Sequence, residues 1–509
     1  MENITRRWLI AITVILPTLM VIINTSIVNV SLDHIRGSFS AGLDESTWAI
    51  TVYLAANAIV IPMTGWLSRH FGRKRVLIVS VVLFIASSLL CGLAWNIESL
   101  IFFRVVQGLA GGSMQPISQS ILLESFPPAQ HGTAMAIYAF GTTFGPIMGP
   151  VLGGWITDNW SWRWIFFVNI PIGAVSLFMS FLFVSDPPYM KRTAVAIDYW
   201  GLIFLSVWVG CLQMILYRGQ REDWFASNFI TTLIIVTVIA FALFILTEFL
   251  VEHPIVELGV FRDYSFTIGN LGIFFVHTVL FGSLILLPVF LQNLLGYTAF
   301  LSGVILGPGG LAIFLVMPIV GRAVAAVNPK WILGPGLILT AYSCLLMADF
   351  NMTADFAAII WTRVVMSVGL GMVFIPLTIL TLSGIPREEM GNATSIYNLL
   401  RNLGGSFGVG YAATMLARRS QFHQSRLVDY LTPFDPAYRQ AANQATEVLR
   451  QKGLDAVTAQ QGGLQRIYDG LLRQAYMMSF NDIFFILGVM MMFLLPLVLL
   501  MRHAKHDKA

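Results

Sequence analysis

Charge is what this sequence most lacks. Only 11% of its 509 residues are Asp, Glu, Lys or Arg, too few to cover the surface of a water-soluble chain of this length. Cysteine is nearly missing: Cys91, Cys211 and Cys344 all fall inside apolar runs without metal-like spacing. That leaves no disulfide framework and no metal site, and makes them small packing residues. No Gly-rich loop ending in Lys and Ser or Thr occurs, which argues against ATP as the driving force. The formal net charge is +4 and the basic residues are scattered, which argues against a nucleic-acid partner. Nothing calls for a cofactor or for covalent catalysis, so no enzyme is expected. The first apolar run, Trp8–Val30, is too long for a secretory leader and has no convincing cleavage site, so it reads as a span.

What is present is apolar length. Hydrophobic residues make up 57% of the chain, and runs of about 20 recur throughout, the length a helix needs to cross a bilayer. The spans fall at 8–30, 48–68, 75–95, 98–122, 132–155, 164–184, 198–216, 228–250, 266–291, 299–321, 331–348, 356–382, 393–415 and 480–501, fourteen in all. An even count puts both termini on one side. With both in the cytoplasm, the inner segments receive Arg6, Arg7, Arg69, Arg73, Lys74, Arg75, Lys191, Arg192, Arg322, Lys330, Arg502, Lys505 and Lys508, while the short outer loops carry mainly Asp33, Asp44, Glu45, Glu98 and Asp158. This bias orients the chain. Residues 416–478 form one long polar outer segment with helical character, which either docks a partner or is a solvated hairpin.

An internal repeat divides the spans. Arg104-Val105-Val106 with Gly112 recurs 259 positions later as Arg363-Val364-Val365 with Gly371. At the same offset Gly132-x-Ala134-x-x-Ile137-Tyr138 becomes Gly391-x-Ala393-x-x-Ile396-Tyr397, and Gly145 and Gly149 become Gly404 and Gly408. Upstream, Pro62-x-x-Gly65 with Lys74 recurs as Pro318-x-x-Gly321 with Lys330. Span 4 therefore maps onto span 12, and two spans are inserted between two six-span halves. Parallel repeats of this kind mark transporters whose halves rock about a central site. The expected fold is all-α and polytopic: a six-helix bundle over 1–185, two inserted helices over 186–260, and a second six-helix bundle over 261–509 that includes the outer segment.

The loop after span 2 reads Gly65-Trp66-Leu67-Ser68-Arg69-His70-Phe71-Gly72-Arg73-Lys74. It resembles the gating loop of the major facilitator superfamily, with Ser68 where that family usually has Asp. The resemblance makes Gly65, Arg69, Gly72, Arg73 and Lys74 a latch, weakened or rewired by Ser68. Span 5 carries Gly141-x-x-x-Gly145-Pro146-x-x-Gly149-Pro150-x-x-Gly153-Gly154, a small-residue face for close packing with prolines that bend the helix. It is similar to the antiporter motif of the drug-exporting branches. Trp162-Arg163-Trp164-Ile165-Phe166-Phe167-x-Asn169-x-Pro171-x-Gly173, Asp223-Trp224-Phe225, Pro254-Ile255-Val256-Glu257-Leu258 and Arg401-x-x-Gly404-Gly405-Ser406 extend the likeness over the whole chain. It resembles the fourteen-span drug/proton antiporter group of EmrB/QacA type, and its long outer segment favours the EmrB side. That implies multidrug efflux from a bacterial inner membrane, with protons, hydrophobic small molecules and the lipid bilayer as partners, and with a periplasmic adaptor and an outer-membrane channel.

Charges inside spans cost roughly 2.5–3.5 kcal/mol each on insertion scales, so each needs a reason. Arg104 lies about 9 Å into span 4 and Arg401 about 12 Å into span 13. Either could meet an anionic substrate or brace carbonyls. His277 lies about 16 Å into span 9, near the midplane, where it is either a proton site or a packing residue. Asn24, Asn29, Asn57, Gln107, Gln115, Gln119, Gln213 and Asn398 could line a cavity with Arg104 and Arg401. Span 1 reads Ile23-Asn24-Thr25-Ser26, where the family pattern implies an Asp that takes the proton at the Asn24 position. Asn24 cannot titrate. The remaining carboxylates, Asp33, Glu124, Asp198, Glu248 and Asp482, are peripheral. Coupling has therefore moved to one of these or to His277, or has weakened, or a weak hydrophobic acid carries its own proton. The rival readings are a transporter of one defined metabolite or acid, and a non-transporting scaffold or sensor.

Overall fold

The structure, a computed structural model, describes residues 2–127, 130–186, 198–252 and 254–501. Lys191, Arg192, Arg502, Lys505 and Lys508, used above for orientation, lie outside the described residues. Helices dominate and run to and fro through one bundle. They are α1 (Glu2–Val30), a short α2 (Leu32–Phe39), α3 (Leu43–Phe71), α4 (Arg73–Gly92), α5 (Ile97–Gly111) continued by α6 (Met114–Ser125), α7 (His131–Asn159), and α8 (Trp164–Phe167) continued by α9 (Asn169–Phe183). Then come α10 (Tyr199–Arg218), α11 (Asn228–Leu250), α12 (Tyr264–Val289), α13 (Ala299–Ala326), α14 (Lys330–Ala348), α15 (Phe356–Leu382), α16 (Met390–Val428), α17 (Pro436–Gln451) and α18 (Ala456–Leu500). Among the described residues 11 helical stretches are individually long and apolar enough to cross a membrane. The α5–α6 pair, α7 and α16 supply three more passes, which makes fourteen. The face at which α1 begins is called proximal below, and the opposite face distal.

Several helices carry an internal proline, among them Pro17, Pro62, Pro288, Pro308, Pro318, Pro376 and Pro496. Such breaks are tolerated where neighbouring helices cover the freed carbonyls. Ser and Thr side chains bond back to the carbonyl four residues earlier at Thr18, Thr64, Thr278 and Thr378, which hides their hydroxyls from lipid.

The glycine face of α7 packs on α1. A Cβ at Gly145 would collide with Ile22, at Gly149 with Ser26, and at Gly153 would sit 2.6 Å from Ile27 Cγ1. Ser26 Oγ reaches the Gly145 carbonyl at 3.3 Å. The side chains of Pro146 and Pro150 lie outside the described residues.

The segment 416–478 is not a separate loop. α16 runs on to Val428 and α18 starts at Ala456, so both passes extend past the distal face, with α17 packed along α18. At 1.5 Å per residue the 45 residues of α18 span about 68 Å, twice the hydrocarbon thickness. Glycines again permit the approach: a Cβ at Gly463 would sit 2.6 Å from Thr446 Oγ1. Where α16 and α18 leave the bundle, Asp482 accepts hydrogen bonds from Arg419 Nε and His423 Nε2, both at 2.6 Å.

Overpacking a filled contact costs about 1–3 kcal/mol. Gly149→Val is therefore expected to lower the melting temperature of the detergent-solubilised protein clearly, whereas Gly303→Ala, whose Cβ meets nothing within 4 Å, leaves it within error.

Candidate functional site

Two polar clusters occupy the interior, and they do different things. The first lies within the N-terminal six helices. Arg104 on α5 is fully buried. Its Nε donates to the Ala49 carbonyl at 2.9 Å, and its Nη1 donates to Asn24 Oδ1 at 2.5 Å and Gln107 Oε1 at 2.7 Å. The guanidinium stacks 3.9 Å from the Tyr53 ring. Gln107 Nε2 and Asn169 Nδ2 both donate to Ser88 Oγ, at 2.5 and 3.3 Å. This network joins α1, α3, α4, α5 and α9.

The second cluster crosses from one half to the other. On α16, Thr394, Asn398 and Arg401 recur at helical spacing and face Gln115, Gln119 and Ser120 on α6 and Tyr138 on α7. Arg401 donates from Nη2 to Gln115 Oε1 and from Nη1 to Tyr138 Oη, the latter at 3.5 Å. Asn398 Nδ2 donates to Gln119 Oε1 at 2.6 Å, and Ser120 and Thr394 hydroxyls lie 2.6 Å apart. The seam is stitched by neutral partners and one arginine.

Toward the proximal face the halves touch backbone to backbone. A Cβ on Gly65 would lie 2.8 Å from Asn392 Cα, beside Gly391, and a Cβ on Gly321 would lie 2.8 Å from the Gly132 carbonyl oxygen. Gly65 and Gly321 are repeat partners, as are Gly132 and Gly391, so the α3–α16 and α7–α13 crossings are two copies of one contact. The loop after α3 reinforces the first. Arg69 pairs with Glu257, whose backbone exchanges hydrogen bonds with the Asn392 amide at 3.2 and 2.8 Å. Buried Arg73 pairs with Glu124 at the end of α6, and the Lys74 amide donates to Asp186 at 2.9 Å. Gly72 has φ of 85°, the left-handed region that favours glycine. The named contacts between the halves all lie in the proximal part of the bundle, so this conformation is closed on that face.

The other singled-out residues scatter. Asn29 is exposed at the distal end of α1, and Asp33 is exposed on α2, 3.8 Å from Arg36. Asn57 is buried against α5 near Gly111. His277 is buried, bonds the Ile273 carbonyl through Nδ1 at 3.1 Å and packs between Phe281 and Phe374. Arg363 is buried in the second half, where Nη1 donates to Ser283 Oγ and Met366 Sδ, both at 3.2 Å. Asp198 caps α10 through the Gly201 amide at 2.8 Å, and Glu248 faces the Val256 amide at 3.3 Å. Both are buried, Asp198 at the start of α10 and Glu248 near the end of α11. Tyr138, Tyr53, Ser88 and Asn392 were not singled out from the sequence. Tyr138 alone carried a signal, as the repeat partner of Tyr397.

A family model described as "Major Facilitator Superfamily" matches residues 14–409. The fatty acid resistance protein FarB of Neisseria gonorrhoeae is 34% identical over 496 residues, covering 97% of this chain and 95% of the relative. The multidrug export protein EmrB of Escherichia coli K12 is 35% identical over 491 residues, with 96% and 94% covered. Among solved structures the proton:xylose symporter XylE superposes with a TM-score of 0.60 at 14% identity, covering 97% of each chain.

Widening either crossing should hold the proximal face open. With Ser120→Cys as reporter, Gly321→Leu is expected to raise its rate of labelling by a membrane-impermeant thiol reagent, applied from the proximal side, by about tenfold or more. Unchanged labelling would show that the crossings do not set closure.

Proposed function

The chain belongs to the major facilitator superfamily, and from that premise we propose that it is a proton-driven exporter of hydrophobic and amphipathic compounds that works by alternating access. We place it in a bacterial inner membrane with the proximal face and both termini in the cytoplasm, as the basic loops favour. The observation that carries this reading is the pair of repeat-related crossings. A transporter with two such seals on one face can open that face only by separating its halves, which exposes Gln115, Gln119, Asn398 and Arg401 to substrate. Residues 1–185 and 261–509 are then the two moving bodies and 186–260 the inserted pair. The likeness to relatives named for multidrug export and fatty acid resistance supports efflux over nutrient uptake.

Coupling to protons needs a group whose surroundings change between states. Burial favours the neutral form of a carboxyl group. Asp198 and Glu248 are the buried carboxylates among the described residues, and they sit beside the inter-half linker rather than in the central seam. They take precedence over Asp33, which is exposed, and over Glu124, which is committed to Arg73. His277 has its Nδ1 engaged in its own helix and is the second choice. The distal extension of α16, α17 and α18 presents Tyr430, Phe434 and Val457, all well exposed, as the docking end for a periplasmic adaptor that leads to an outer-membrane channel.

A second reading, export of hydrophobic acids, draws on one observation. Arg104, Arg363 and Arg401 lie within the two central bundles, and none has a carboxylate partner among the described ion pairs. An interior of this sign favours an anion.

In proteoliposomes with a proton gradient, ethidium and dodecanoate are expected to be pumped and uncouplers to stop the pumping. Glu248→Gln is expected to reduce gradient-driven transport by about tenfold while leaving downhill exchange. Movement of solute only down its own gradient in the unaltered protein would exclude antiport, and no movement of any solute would favour a scaffold. Truncating 429–455 should abolish efflux across the outer membrane of whole cells and spare transport in vesicles; loss in both would remove the adaptor role from this segment.

A further inference from the structure

We propose that Arg104 and Asn24 form a binding site for a small monovalent anion inside the N-terminal half. A guanidinium offers five N–H groups and accepts none. Those on Nε and Nη1 are used by the Ala49 carbonyl, Asn24 Oδ1 and Gln107 Oε1. Nη2 has no partner, and neither does Asn24 Nδ2, although both residues are fully buried. The two orphan donors belong to the two partners of one hydrogen bond, Arg104 Nη1 to Asn24 Oδ1, and in the proposed site a single acceptor lies against both. Turning the Asn24 amide over offers no escape, because it would aim an N–H at Arg104 and lose the acceptor.

Charge points the same way. The guanidinium contacts Tyr53 and neutral amides, and no ion pair includes it among the described residues. A buried unpaired charge is among the costliest arrangements a protein can hold. A water could satisfy the donors but would leave the charge unbalanced and bring two O–H donors of its own into a site already rich in donors. A halide or a carboxylate supplies both acceptor and charge. An Asp at position 24 would have done the same from within the chain; Asn24 removes the negative charge, halves the acceptors and adds the second orphan donor.

Two sources share this chemistry: free chloride, and the carboxylate of a transported acid. Only the second rests on the export reading above. The test is thermal unfolding of the full chain in detergent, in sodium gluconate at constant ionic strength. Chloride titrated without any acid is expected to raise the melting temperature saturably by about 2 °C or more if the free ion binds. Dodecanoate should do so, and dodecanol should not, if the carboxylate binds. In either case Asn24→Asp is expected to remove the response, and Arg104→Lys, which keeps the charge but removes the Nη2 donor, to weaken apparent affinity by about tenfold. The conservative pair keeps the test readable should one variant fold poorly. No response to either anion, or an equal response in Asn24→Asp and the unaltered chain, overturns the site. Absence of dodecanoate pumping in proteoliposomes, with the chloride response intact, would sink the acid-export reading and leave the site standing.

Discussion

The structure depends first on how closely four helices approach. In lipid, apolar surface gains little by being covered with more apolar surface, so helices associate through close packing and hydrogen bonds. The α3–α16 and α7–α13 crossings reach backbone contact because glycine stands at each meeting point. Once the backbones are that near, the side chains one and two turns deeper must be small or must pair. Ser120 and Thr394 are small enough to bond directly, and the Gln and Asn side chains behind them interlock. The polar seam is therefore a consequence of the crossings. Polar groups so placed satisfy one another while the face is closed.

The same constraint explains where symmetry stops. The repeat supplies both crossings, both buried arginines on α5 and α15, and the Tyr138–Tyr397 pair. It does not supply Arg401, whose repeat partner is Thr142. Arg401 reaches across the seam to Gln115 and Tyr138, so charge enters the seam from one half only. Arg104 and Arg363, though equivalent in sequence, also differ: Arg104 ties its own helix to α1 and α3 through amide and carbonyl oxygens, while Arg363 meets a hydroxyl and a thioether. Two halves of one ancestry thus present unlike surfaces to whatever occupies the space between them.

The passes, their order and the repeat were legible in the sequence because each rests on a local rule: span length, apolar composition, glycine at fixed spacing. Gly65 in the loop after span 2 and Gly145, Gly149 and Gly153 in span 5 sit at close approaches, as the small-residue pattern suggests, whereas Gly72 serves a left-handed turn and Gly154 has only an ordinary contact. Which helix each one faces was not legible, since Gly149 meeting α1 and Gly65 meeting α16 are facts of tertiary register. Arg104 and Arg401 looked alike as charges in spans; only the fold separates a residue locked within one half from one that bridges two. The distal segment read as a loop because its residues are polar, yet polar residues with good helix propensity simply continue α16 and α18 into water. Asp198 and Glu248 read as peripheral by position along their spans, and burial against the linker could not be inferred from that position.

The inserted helix α10 shows how the two halves are further tied. On its α3 side it packs mainly through apolar surface, with Gly210 against Ile59; at its distal end Arg218 stacks over Trp48, 4.3 Å from ring centre to guanidinium, and Arg221 in the following turn donates to Thr47 Oγ1 at 2.8 Å. On its α16 side it is held by directional bonds. Gln213 Nε2 donates to Asn402 Oδ1 at 2.9 Å, the Tyr217 and Ser406 hydroxyls lie 3.2 Å apart, and Trp224 in the following turn donates to Thr414 Oγ1 at 3.1 Å. Gly410 lets the Leu216 carbonyl approach the α16 backbone. If α3 and α16 move apart, α10 cannot follow both. Sliding along apolar surface exchanges one set of dispersion contacts for another, whereas pulling away from α16 strands amides and hydroxyls where water is scarce. Within the membrane, where Gln213 and Tyr217 bond α16 and Gly210 meets α3, that contrast makes the α16 side the costlier one to separate, while at the distal end Arg221 ties the following turn to α3 as well.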